Sequence, residues 1–99
     1  MPQSLSRIFI HIVFSTKNRK PLIDDEIKDQ LHAYLAKLCK NLDCQPIKVG
    51  GYYNHIHILC LLSKNTTTAK LIEELKKRTS KWIKTKGPQY SGFYWQDGY

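Results

Sequence analysis

The stretch Asn54-His55-Ile56-His57-Ile58-Leu59-Cys60 alternates so regularly that it constrains the fold more than any other part of this 99-residue chain. Side chains on a strand point to opposite faces in turn, so Ile56, Ile58 and Cys60 share one face while His55, His57 and Leu59 share the other. One face suits burial and the other carries polar groups, which predicts a sheet covered on one side and open on the other. At about 3.3 Å per residue the two histidine Cα atoms lie roughly 6.5 Å apart, within reach of a single cation held between both imidazoles. The same spacing also suits two ordinary polar residues on a half-exposed sheet, and the segment alone does not separate these readings.

The rest of the chain supplies partners for such a strand. Ile8 to Phe14 is a β-branched and aromatic run, too short for a typical helix and apolar on both faces, and reads as a first strand. Turn formers and Pro21 interrupt it, and Asp24-Asp25-Glu26 then place acids where a helix N-terminus is positive. Ile27, Leu31, Tyr34, Leu35, Leu38 and Leu42 recur at helical spacing, which puts His32 on the outer surface. Residues 46–52 read as a second strand joined to the histidine strand by a hairpin at Tyr53-Asn54. Thr66, Thr67 and Thr68 offer a helix start, Leu71, Ile72, Leu75, Thr79, Trp82 and Ile83 form its inner stripe, and Gly87-Pro88 ends it. Residues 91–96 are aromatic and predict a last, edge-lying strand.

Strand, helix, strand, strand, helix, strand is the order of an α+β, ferredoxin-like (RRM-like) βαββαβ sandwich, with one antiparallel sheet and two helices on one face. A single domain over residues 1–99 is expected, since a chain this short supports one thin core. If Ile56, Ile58 and Cys60 lie beneath the helices, His55 and His57 emerge on the open face. His11 alternates against Ile10 and Ile12 and reads either as a neighbour that steadies the pair or as a core histidine bonded to a carbonyl.

Sixteen Lys and Arg against eight Asp and Glu give a net charge of +8, which favours a polyanion, nucleic acid ahead of an acidic membrane surface. Lys17, Arg19 and Lys20 follow the first strand, and Lys76, Lys77, Arg78, Lys81 and Lys84 crowd the second helix, where they serve either as phosphate contacts or as a solvated face. Tyr52, Tyr53, Phe93, Tyr94 and Trp95 are divided between base stacking and core or dimer contacts. The three cysteines include no CxxC pair and read as reduced packing residues, which points to the cytoplasm. No segment reads as an export signal or a membrane span.

Four blocks in order, His11-Ile12-Val13-Phe14-Ser15-Thr16-Lys17, Gly50 to Leu59, Leu75-Lys76-Lys77-Arg78-Thr79-Ser80 and Trp95-Gln96-Asp97-Gly98-Tyr99, resemble the single-tyrosine HUH transposases. The likeness is to the insertion sequence 200-like group and its REP-associated relatives, and it runs over nearly the whole chain. It implies a DNA transposase that acts as a homodimer on hairpin-bearing single-stranded DNA. It further implies that His55 and His57 bind Mg²⁺ or Mn²⁺, and that a tyrosine attacks phosphorus to leave a 5′-phosphotyrosyl link. That link keeps the phosphodiester's energy, so a second DNA end can rejoin the strand without ATP. The family carries its nucleophile on a helix after the Trp-Gln-x-Gly-Tyr block. The chain ends within that block, so the nucleophile is expected beyond Tyr99 and this polypeptide is expected to bind DNA without cleaving it. Asn54 stands where relatives often have an acid before the histidine pair. Two other readings stay open: a non-catalytic RRM-like nucleic-acid-binding module, and a zinc site completed by a cysteine, for which Cys60 points to the wrong face.

Overall fold

The computed structural model describes residues 7–97. Three strands form one antiparallel sheet in the order β1-β3-β2, with β1 at Phe9–Ser15, β2 at Gln45–Gly51 and β3 at His55–Leu61. Two helices, α1 at Asp25–Asn41 and α2 at Thr68–Ile83, complete the α+β architecture. Phe14 pairs with Ile56 and Ile12 with Ile58, and all four are buried in one core with Leu31 and Leu35 of α1 and Leu71 and Leu75 of α2. Both helices therefore cover the face that the Ile56, Ile58, Cys60 alternation marked for burial. Each fully buried isoleucine or leucine contributes about 1.5–3 kcal/mol relative to exposure, so the period-2 pattern of β3 has a large energetic stake in this orientation.

Local signals fix the helix ends. The Asp24 carboxylate accepts from the Ile27 N–H at 3.0 Å, the Thr67 hydroxyl accepts from the Lys70 N–H at 3.1 Å, and each satisfies a donor that the first turn leaves free. Tyr90 donates to the same Asp24 carboxylate at 2.8 Å, tying the C-terminal segment to the start of α1. Tyr34 and Trp82 stack at 4.6 Å between the two helices. The β2–β3 hairpin turns on Gly51 at φ 156°, where a Cβ would stand 2.3 Å from the His55 carbonyl oxygen.

The last strand does not form among the described residues. A single bridge pairs Trp95 with Thr16, just past the end of β1, with Lys17 N–H donating to Tyr94 O and Gln96 N–H donating to Ser15 O. Phe93 and Trp95 are both buried, and Trp95 meets Phe14 and Phe93 edge to face at 4.6 and 4.8 Å. Its indole N–H donates to the Thr79 hydroxyl at 2.9 Å. Sinking these two rings into the rim of the core draws the segment across the end of β1 instead of alongside it. Tyr99, the end of the Trp-Gln-Asp-Gly-Tyr block, lies outside the described residues.

His32 also departs from expectation. It is half-buried, and its Nε2 is enclosed without a hydrogen-bond partner. Burial lowers its pKa against the opposing pull of the Asp29 carboxylate. The unfolded chain therefore takes up this proton first, and stability falls as pH drops through about 6.5 toward the lower folded-state value. Urea midpoints at pH 7.5 and 5.5 should show that fall, and His32→Leu should reduce it; the same fall in both proteins would assign the effect to other groups.

Cys39, Cys44 and Cys60 are free and fully buried. Cys60 lies on the helix-covered face, on the other side of the sheet from the imidazoles, which removes it as a shared ligand.

Candidate functional site

His55 and His57 stand on the uncovered face of β3, both partly exposed, with ring centroids 6.3 Å apart and planes 32° from parallel. Each ring has its own support. Gly50 of β2 lies opposite His57, and a Cβ there would come within 2.8 Å of Cε1 and 3.1 Å of Nε2, so the imidazole rests on a backbone that only glycine leaves bare. His55 Nδ1 lies 3.0 Å from Asn54 Oδ1, while Asn54 Nδ2 donates to the Arg19 carbonyl at 3.4 Å. That second bond orients the amide oxygen toward His55. The network assigns the proton to His55 Nδ1 and leaves the Nε2 lone pair free.

His11 is exposed on β1 and its ring meets His57 edge-on at 5.8 Å, so it joins the open face and not the core. The pKa of His57 is lowered, first by burial and then by His11, His55 and Lys48, which keeps a neutral imidazole available at physiological pH. A cation bound about 2.1 Å from a ring nitrogen sits roughly 3.2 Å from the ring centre, so two ligands about 90–110° apart have centroids about 4.5–5.2 Å apart. The observed pair, 6.3 Å apart, would close to that span by side-chain rotations of about 1–2 Å. Two oriented imidazoles thus fit part of a divalent-cation site, while among the described residues no third His, Cys, Asp or Glu completes it. Gly50→Ala should displace the His57 ring and weaken cation binding about 10-fold, the scale set by losing an orienting partner. Calorimetry with Mn²⁺ checks this, and unchanged affinity would mean that the ring does not need the bare backbone.

The structure divides the expected phosphate contacts. Lys17, Arg19 and Lys20 are exposed in a tight loop at the His55 end of the sheet. Buried Thr16 anchors that loop: its N–H donates to the Asn54 carbonyl at 2.9 Å and its hydroxyl donates to the Lys20 carbonyl at 2.6 Å. Asn18 and Arg19 adopt left-handed φ values of 57° and 55° to make the turn. The basic residues of α2 lie on the helical layer, across the sheet from the imidazoles. Lys76 is half-buried and its ammonium donates to the Gln96 carbonyl at 2.7 Å; Arg78 pairs with Glu74; Lys84 donates to Ser80 and lies 4.3 Å from the centre of the Tyr94 ring. Lys77 and Lys81 are exposed. Gly50, Thr16 and Lys48 belong to the site but were not among the residues expected to serve it. The Gly-Gly pair ahead of the hairpin was the one visible hint.

Comparison with known proteins agrees with this fold. A family model described as "Transposase IS200 like" matches residues 4–99. The fold is similar to a crystal structure of a candidate transposase from Deinococcus radiodurans R1, with a TM-score of 0.85 and 16% identity over 99% of this chain and 79% of that one. No curated protein matches the chain significantly.

Proposed function

Because the chain belongs to the family of IS200-like transposases, we propose that the open face of its sheet is a metal-assisted DNA strand-transfer site for hairpin-bearing single-stranded DNA. The observation that carries this reading is the joint fixing of His55 and the basic loop: Asn54 bonds both His55 and the Arg19 carbonyl. His55 and His57 would hold Mg²⁺ or Mn²⁺, which when bound supplies a Lewis acid that polarises a phosphate oxygen. His11 flanks His57 and Asn54 orients His55. Lys17, Arg19 and Lys20 draw the sugar-phosphate chain toward that end of the sheet.

The described tyrosines have other engagements. Tyr34 stacks on Trp82, and Tyr52 meets Tyr53 at a tilt of 36°. Hydrogen bonding with Tyr52 raises the pKa of Tyr53, and burial with the Asp24 contact pushes Tyr90 up to about 12. Lys84 covers Tyr94. We therefore assign the covalent step to a tyrosine outside these residues and treat this single domain as the strand-binding core, working as a homodimer in the cytoplasm. Among the described residues no helix is long and apolar enough to cross a membrane.

Titrating the 99-residue polypeptide with a hairpin-bearing single strand in Mn²⁺ tests the proposal. Affinity should fall with salt, with a log–log slope of about −0.7 per phosphate contact. A denaturing gel should show no phosphotyrosyl adduct. Salt-independent binding would remove the phosphate contacts, and an adduct would place the nucleophile in this chain. An RRM-like module instead binds DNA equally well with the metal chelated.

A further inference from the structure

The open face continues well past the imidazoles. Cross-strand register sets Ser15 beside His55, Val13 beside His57, His11 beside Leu59 and Phe9 beside Leu61, four rungs on one side of the sheet. Successive rungs are two residues apart, so the ladder runs about 20 Å from the His55 end to Phe9. Phe9 is 55% exposed and Val13 54%, far more than core-forming residues of a strand need to be. On β2, Lys48 is exposed and pairs with Leu59, which places it on this same face. None of the strand residues with this orientation is Asp or Glu.

We propose that this ladder is a track for single-stranded DNA, in which Phe9 stacks on an unpaired base and Lys48 holds a neighbouring phosphate, so that the strand is gripped beyond the His57 end of the imidazole pair while the basic loop holds it at the His55 end. The inference rests on the strand-transfer reading for the identity of the nucleic acid. Three features select a single strand over other occupants. Cations without any carboxylate complement a polyanion. An exposed ring and exposed aliphatic side chains match the faces of unpaired bases, which a duplex hides in its stack. A length of about 20 Å covers about six nucleotides at the stacked rise of 3.4 Å, within the span of known single-strand platforms. The basic loop then serves one end of the track and Phe9 the other.

The test uses the full chain with EDTA present, so that it does not depend on the metal. Binding of oligodeoxythymidines of 4 to 16 nucleotides should strengthen with length and level off near six. Phe9→Ala should weaken binding of the longer oligomers about 10-fold or more, Phe9→Trp should preserve it, and Lys48→Gln should flatten the salt slope by about 0.7. Blunt duplex should bind all four proteins alike. Equal single-strand affinity in wild type and Phe9→Ala overturns the proposal, as does a Phe9→Ala variant that sediments as a smaller species with unchanged affinity, which would assign the face to a second copy of the chain. A Phe9-dependent length response with no Mn²⁺ binding in the metal titration would keep the track and reject the metal reading.

Discussion

His57→Ala should abolish measurable Mn²⁺ binding while leaving the thermal midpoint nearly unchanged. The imidazole is partly exposed and rests on Gly50, so its removal opens no cavity in the core. Its loss does remove one of the two proposed ligands. Mutating a partner that only orients a ligand typically costs 10- to 100-fold in metal affinity, so deleting a ligand itself should cost more than about 100-fold. Asn54→Ala should fall in the lower range, because it frees the His55 ring without removing a donor. Cation binding should also weaken as pH falls through the histidine range, since metal and proton compete for the same lone pairs. The lowered pKa of His57 would extend such binding to more acid conditions than an ordinary imidazole allows. Isothermal calorimetry on the three proteins decides the matter: equal Mn²⁺ affinity in wild type and His57→Ala would exclude the pair as a metal centre.

The largest effect on stability should come from Trp95→Ala. The ring is 7% exposed, contacts Phe14 and Phe93 edge to face, and donates to Thr79, which in turn donates to the Leu75 carbonyl at 2.6 Å. Truncating a buried tryptophan costs about 3–5 kcal/mol, a third or more of the total for many domains of this size. At about 4–8 °C per kcal/mol, the midpoint of a thermal melt should drop by about 15 °C or more. Trp95→Phe should recover most of the loss, leaving chiefly the missing indole N–H. A midpoint within a few degrees of wild type in Trp95→Ala would show that the terminal segment packs only loosely on the core.

Much of the arrangement around β3 was legible in the sequence because strict period-2 alternation admits few solutions. Ile56, Ile58 and Cys60 are buried, and His55 and His57 face the other way. Parity on β1 left His11 between the open face and the core, and its exposed ring beside His57 decides for the open face. The C-terminal stretch misled for a related reason: Phe93 and Trp95 alternate as in a strand, but an irregular segment that sinks every second ring into the core leaves the same trace. Lys76 and His32 sit at the boundary of a helical stripe, where periodicity does not tell whether a long or amphipathic side chain folds inward. The tie between Asn54, His55 and the Arg19 carbonyl joins residues 35 apart in sequence and depends on two left-handed turn residues, information that spacing does not carry. The amide of Asn54, at the position where relatives often carry an acid, supplies the orienting contact to His55.

The three sealed sulfhydryls turn the protein into its own reporter of opening. Cys39 holds its proton well above the ordinary thiol range, through its hydrogen bond with Cys60 and through burial, and burial raises Cys44 as well. Alkylation of the native state should therefore wait for excursions that part α1 from the sheet, and the pace of iodoacetamide uptake would time those excursions without any added dye or label.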